Sequence, residues 1–327
     1  MKPPALITCV GEPVADFVSL KSRVGLSESP GFLKVGGGEA ANVAVGLSRL
    51  GTRSAFIGKV GNDSFGMFLA SELRRTGVDI RGLCYDKTYK TRLAFVSLRN
   101  SGDREFEFWE RKPAGEQLRL SEVRIKVIAV SRIVNIGPLL LMKEPSRSTA
   151  LWIAKEARRR GCDVAFDPNL RLSLWASNAE AKRVITRMVR LSTILRMNEE
   201  EGRFLTGEGK LDSMAEAIRS YGPELVVVTR GSRGCYFQTS NSSGSVRGFR
   251  VRPVDTTGCG DGFLAGLLHG LSESGHAVGE IPVEILSSIC RYANAVGALT
   301  ATKRGAMPAL PYAREVRRFL KENSVAS

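Results

Sequence analysis

Short apolar runs alternate with amphipathic stretches along nearly the whole chain, and this alternation narrows the possible folds more than any other feature. LITCVG (6–11), SAFIGKVG (54–61), RIVNIG (132–137), DVAFDP (163–168), TILRMN (193–198) and ELVVVTRG (224–231) read as strands. Between them, residues 64–77, 145–161 and 213–222 carry the three-to-four-residue apolar spacing of helices. Each closes on a glycine with an arginine nearby, as a helix C-terminus prefers. Nearly continuous apolar strands separated by helices predict a parallel sheet covered on both faces.

Two segments break the rhythm. Residues 12–35 and 88–109 read as strands with no helix between them. RLAFVSLR and EFEFW alternate with a period of two around the polar turn NSGDR, which predicts a hairpin. A small antiparallel sheet set into an α/β domain suits a lid over a site. With no repeat, low-complexity tract or linker, residues 1–327 read as one domain, its lid formed by about 12–35 and 88–110.

Composition excludes several function classes. At 43% hydrophobic and 25% charged residues the chain is globular rather than disordered. The six cysteines (9, 84, 162, 235, 259 and 290) form no CxxC pair, so neither zinc-finger nor dithiol chemistry is expected. The N-terminus shows no signal-peptide pattern and no long uncharged apolar run follows, so a cytoplasmic protein with no membrane partner is expected. The balance of 48 basic to 33 acidic residues gives a net charge of +15. The basic residues lie in short clusters spread over the length, without a basic tail or an RNP-like aromatic string, so nucleic acid is not the expected partner. A positive field equally draws in a nucleoside triphosphate. The two histidines, His269 and His276, lie close together with no triad partner in pattern. Neither a P-loop nor a GxGxxG fingerprint is present.

The segment that carries chemistry is DTTGCGDGFLAGLL (255–268), in which Gly258, Gly260 and Gly262 crowd the start of an apolar helix. Backbone N–H groups at such a start have no helical partner and sit at the positive end of the dipole, which makes an anion site. Asp261 falls in the first turn, where it can accept a proton from a hydroxyl. A carboxylate beside an anion hole suits phosphoryl transfer to an alcohol. A second glycine-opened helix, GGGEAANVAVGLSRLG (36–51), projects Asn42 from its first turns, and Asp16 lies just beyond the first strand.

These two segments resemble, in order and spacing, the two signatures of the ribokinase-like (PfkB) carbohydrate kinases. FDPNLRLSLW (166–175), Asn198 and Glu201 in an NxxE pattern, VVVTRGSRGC (226–235) and ANAVGALTATKRGAMPALP (293–311) extend the likeness over nearly the whole chain, closest to the fructokinase branch. The resemblance implies a doubly wound, mainly parallel α/β sheet with a β-sheet lid. It implies an ATP-dependent sugar kinase, most simply one acting on fructose, with Asp261 as base and the amides of Gly258, Cys259 and Gly260 as anion hole. It assigns Asp16, Gly36, Gly37, Asn42, Arg92 and Arg171 to the sugar, and Asn198, Thr229, Gly231, Gly258, Gly260 and Asn294 to ATP. It assigns Glu201 to Mg2+ through water, and Asp255 with the loop 300–309 to a monovalent cation such as K+. A homodimer through the lid is a further implication.

Three positions depart from the family pattern. Cys259 replaces the usual alanine beside the phosphates, and Ala309 stands where some members offer a hydroxyl ligand. The stretch 111–116 reads RKPAGE in place of an RNPxAD-like sequence, so Lys112 is expected to draw a sugar acid such as 2-keto-3-deoxygluconate or a phosphorylated sugar. A sugar-acid or riboside kinase is therefore the second expectation. A non-catalytic, fructokinase-like regulatory protein is the alternative of another class, which the retained Asp261 opposes.

Overall fold

The computed structural model describes residues 6–21, 24–98, 104–109 and 112–323. In chain order its first elements are β1 (Leu6–Gly11), β2 (Val14–Ser19), β3 (Phe32–Gly37), α1 (Glu39–Leu50), β4 (Arg53–Gly61), α2 (Ser64–Arg75) and β5 (Asp79–Asp86). β6 (Leu93–Leu98), β7 (Arg104–Phe108), α3 (Ile125–Ala129), β8 (Ser131–Ile136), α4 (Ser146–Arg159), β9 (Asp163–Phe166) and α5 (Asn178–Val189) follow. Then come β10 (Ile194–Asn198), α6 (Glu199–Thr206), α7 (Leu211–Arg219), β11 (Leu225–Thr229), β12 (Cys235–Gln238) and β13 (Ser243–Val246). The chain closes with α8 (Cys259–Glu273), α9 (Val283–Thr300) and α10 (Ala313–Glu322).

The large sheet runs β13-β12-β11-β10-β9-β8-β1-β4-β5, parallel from β11 to β5, with the antiparallel pair β12–β13 on one edge. Successive residues of its strands bury on opposite faces: Val227 packs in one core and its neighbours Val226 and Val228 in the other. That two-sided burial accounts for the unbroken apolar runs and requires helices on both faces. Strands β1, β4 and β5 extend one way and β8 to β11 the other, so the order reverses at the β1–β8 boundary. Ligands of open α/β sheets bind beyond the carboxyl ends of the strands at such a point.

The six strands read from the sequence all form, within a residue or two of the expected bounds. The expected small sheet forms too, as β3-β2-β6-β7, but it is mixed rather than antiparallel, because β2 and β6 pair in parallel. Its hairpin β6–β7 is antiparallel, while most of the turn NSGDR lies outside the described residues, as does Arg111. Three strands escape the pattern reading: β5 at one edge and β12 and β13 at the other. β5 is polar at both ends, and the β12–β13 strands are only four residues each.

Asp63 fastens the root of the small sheet to the core. Its Oδ1 caps α2 by accepting from the amides of Phe65 (3.1 Å) and Gly66 (2.9 Å). The same carboxylate accepts from the Thr91 amide at 2.9 Å and the Thr91 hydroxyl at 2.8 Å, just before β6. All six cysteines are free thiols. Among the described residues no helix is long and apolar enough to cross a membrane.

Candidate active site

The two glycine-opened helices lie side by side because small residues let them approach. A Cβ at Gly46 of α1 would come within 2.7 Å of the Ala265 Cβ on α8. Their first turns are thereby brought together, and the Asn42 Nδ2 donates to the Asp261 Oδ2 at 2.7 Å. Burial pushes the Asp261 carboxyl up to about 6, against the opposing pull of that Asn42 hydrogen bond.

Gly258, the N-cap of α8, has φ +78, and a Cβ there would come within 2.9 Å of Ala306. Both the left-handed backbone and the close approach of the 300–309 loop call for glycine. Gly258→Ala should lower stability by about 1–2 kcal/mol from backbone strain alone. A urea melt measures that loss, and initial rates should show kcat falling with it as the loop is displaced. The Cys259 amide does not face outward freely: it donates to the Thr256 carbonyl at 3.3 Å, closing a tight turn.

Asp255 is buried and binds the same loop. Its Oδ1 accepts from the Thr257 amide (2.8 Å) and hydroxyl (2.7 Å), and its Oδ2 from the Gly305 amide (2.9 Å). The expected association of Asp255 with residues 300–309 is thus present as a hydrogen bond within the chain, close to Gly258.

Two cavities meet at this point. A chamber of about 180 Å³ is lined by Asp16, Gly38, Glu39, Asn42, Arg171 and Asp261, with Phe106 and Phe108 of β7 as a cover. A larger cleft of about 670 Å³ is lined by Thr229, Gly231, Asn294 and Cys259 and by the apolar surfaces of Phe249, Val251, Pro253 and Ala298. Arg196, Thr256 and Gly260 line both. A side recess next to Thr229 and Gly231 is formed by Asn198, Glu199 and Glu200.

The chamber is rich in carboxyl groups. Burial raises Asp16 to about 7 and Glu39 to about 8. Gly37 makes room for Asp16, since a Cβ there would lie 2.0 Å from its Oδ2. Arg171 spans from the loop after β9 to the small sheet, its guanidinium 4.5 Å from the Phe106 ring centroid.

Several expected residues sit elsewhere. Arg92 does not line the chamber. It is buried between Glu12 (2.9 Å) and Glu116 (2.6 Å), where it ties the root of β6 to the β1–β2 corner and to the segment after β7. Gly36 and Gly37 lie behind the wall, where Gly37 accommodates Asp16, and of that glycine triplet Gly38 is the one that lines the chamber. Lys112 is exposed and does not line the chamber, so it is no basis for an acidic acceptor.

Glu201 is buried, and its oxygens accept from the amides of Leu170 (2.8 Å) and Asn198 (2.7 Å). It holds the loop 167–171 and the start of α6 in place, while its neighbours Glu199 and Glu200 face the recess. Asn294 lines the larger cleft and donates to the carbonyls of Val246 (3.3 Å) and Arg247 (3.2 Å). His269 bonds Thr52 at 2.7 Å, remote from the chamber.

Sequence reasoning missed Arg196 and Glu39, and Arg196 stands at the junction of the two cavities. Its guanidinium donates to Asp167 (2.7 Å) and to the Thr229 hydroxyl (2.6 Å), and lies 2.9 Å from where a Gly260 Cβ would stand. A lone arginine inside the apolar run TILRMN was the available signal. A buried cation on a core strand needs a paired partner, and Asp167 at the end of the neighbouring strand supplies it.

Residues 4–313 match the pattern described as pfkB family carbohydrate kinase. The chain belongs to the pfkB family of carbohydrate kinases. It is 42% identical over 320 residues, 98% of each chain, to the probable fructokinase-4 of Arabidopsis thaliana. It is 40% identical over 318 residues, 97% of this chain and 96% of the other, to fructokinase-2 of Solanum habrochaites. Among solved structures, a fructokinase double mutant from Vibrio cholerae O395, bound to fructose, ADP and a potassium ion, superposes with a TM-score of 0.87 at 33% identity, over 98% of this chain and all of that one. An aminoimidazole riboside kinase from Salmonella enterica is similar at TM-score 0.83 and 27% identity, covering 96% and 99%.

Proposed function

We propose that this chain is an ATP-dependent fructokinase that moves the γ-phosphoryl group of Mg-ATP onto a hydroxyl of fructose to give fructose 6-phosphate. The observation that carries the reading is the meeting of a polar chamber and a longer, partly apolar cleft at Gly258–Asp261. A polyol and a nucleotide held in those two spaces bring hydroxyl and phosphoryl group together at one carboxylate. The fructokinase names of the relatives point to the same acceptor.

In this reading the sugar hydroxyl to be phosphorylated donates to Asp261, which Asn42 orients. Asp261 takes its proton as the new O–P bond forms and the bond to ADP breaks. Arg196 and the amides of Gly258 and Gly260 face the transferring group, where negative charge is spread over its oxygens. Thr229 and Gly231 lie along the phosphate tail, and Phe249 and Asn294 around the base. The small sheet is the lid of a single kinase domain: Phe106 and Phe108 shut the chamber and keep water from taking the phosphoryl group.

Magnesium, when bound, neutralises charge on the phosphate oxygens. The recess at Asn198, Glu199 and Glu200 does not suit it, because Glu199 is ion-paired with Arg230 and Arg233 and Arg203 lines the same space; we assign it to the phosphate oxygens, with Glu201 reaching it through water. We place a monovalent cation such as K+ beside Asp255, where it would steady the 300–309 loop. A homodimer through the lid, tested by sedimentation, and a cytoplasmic location, tested by cell fractionation, complete the proposal.

A coupled ADP-release assay with Mg-ATP over fructose, glucose, ribose, 2-keto-3-deoxygluconate, fructose 6-phosphate and a nucleoside tests the activity. Selective turnover of fructose is expected. Preference for the acid or the phosphorylated sugar would refute the acceptor. Silence with ATP still binding would refute catalysis.

A further inference from the structure

We infer that Glu39 is a specificity-determining residue of the acceptor chamber, receiving a hydroxyl of a neutral polyol and, with Asp16, turning away anionic sugars. This rests on the kinase reading and deepens it. Glu39 is the first residue of α1 and lines the chamber together with Asp16, Asn42 and Asp261. Its carboxyl is steadied by the N–H groups of Leu139 and of Glu39 itself. Its Oε1 lies against Gly137 at the end of β8, shielded from solvent and with no hydrogen-bond partner. The Asn42 Oδ1 is in the same condition.

A buried acceptor without a donor is costly to a folded chain unless a ligand supplies the donor. Two such acceptors in one small chamber match adjacent O–H groups, which a sugar presents and a carboxylate or phosphate does not. Charge points the same way. Three carboxyl groups, on Asp16, Glu39 and Asp261, surround the acceptor. Of the two guanidinium groups in the lining, Arg196 is already paired with Asp167, which leaves Arg171, stacked on Phe106, to offset the three carboxyl groups alone. Above about pH 8, where all three carboxyl groups are ionised, an acidic substituent entering this space meets like charge at short range in a low-dielectric setting, which opposes binding.

The test compares the wild-type chain with Glu39→Ala and Glu39→Gln. KM and kcat are measured at about pH 9, where Glu39 is ionised, for fructose, 2-keto-3-deoxygluconate and ATP, with fructose binding followed by calorimetry. Loss of one hydrogen bond to a charged partner should raise the fructose KM of Glu39→Ala about ten- to a hundredfold. Its KM for ATP should stay within about twofold, because uniform binding of one substrate is what has been removed. Glu39→Gln keeps an acceptor and loses the charge, so its fructose KM should rise less. Its preference for fructose over the sugar acid should narrow by about tenfold, a change that a purely structural role would not produce. If Glu39→Ala fails to fold, the selectivity of Glu39→Gln decides. Variants with unchanged fructose KM and unchanged selectivity overturn the role of Glu39 alone. A wild-type chain that neither binds nor phosphorylates fructose overturns the acceptor reading and this inference with it.

Discussion

Asp261→Ala should lower kcat by about 10²–10⁴, the usual worth of a positioned general base, while the affinity for ATP stays close to wild type. The variant removes the carboxylate and leaves Gly258, Gly260 and Arg196, so the nucleotide keeps its contacts. A rate within a few-fold of wild type would remove Asp261 as base.

The pH dependence gives an independent check. A base works when deprotonated, and burial has raised this carboxyl to about 6, so kcat for the sugar-bound enzyme should fall as the pH drops through that value, below the range in which Asp16 and Glu39 titrate. Asn42 donates to the ionised form and so holds the value down. Asn42→Ala should therefore move the acid limb to higher pH. A limb that stays where it is would mean that another group sets it.

Arg196→Ala should cost about 10²–10³ in kcat, as removal of one donor to a charge-developing centre does. It should also cost about 3–5 kcal/mol of stability, because Asp167 would be left as an unpaired buried charge. The two losses have separate origins. The double variant Arg196→Ala/Asp167→Ala removes both charges and should recover most of the stability without recovering turnover. Urea melts read the first and initial rates the second. Recovery of turnover in the double variant would show that Arg196 acts only by compensating Asp167, and its part in phosphoryl transfer would fall.

Much of this site is legible before any coordinate. The two glycine-opened helices announce themselves by local composition, because unpaired amides at a helix start depend only on a few consecutive residues. Asp261, Asn42 and Asp16 follow from their places relative to those starts. Arg92 misleads for the opposite reason. Nothing near it in sequence tells that Glu12, 80 positions earlier, and Glu116, 24 later, close on its guanidinium. Glu201 has a second, local use. Its NxxE spacing is also the spacing of a capping box, and here the carboxylate serves the helix start. Lys112 suggested an acidic acceptor only while its exposure was unknown.

By itself the sequence determined the alternation of strands and helices, hence a parallel sheet covered on both faces, and the two glycine-opened helix starts. Periodicity and helix-start chemistry are properties of neighbouring residues, so they survive without a fold. Only the tertiary structure decided what stands opposite what. It set Arg196 between Asp167 and Thr229 where the two cavities join, turned Glu39 into the acceptor chamber, and kept Arg92 out of it. Those placements depend on pairings between strands and helices distant in sequence, whose energies come from burial and desolvation that no local pattern encodes.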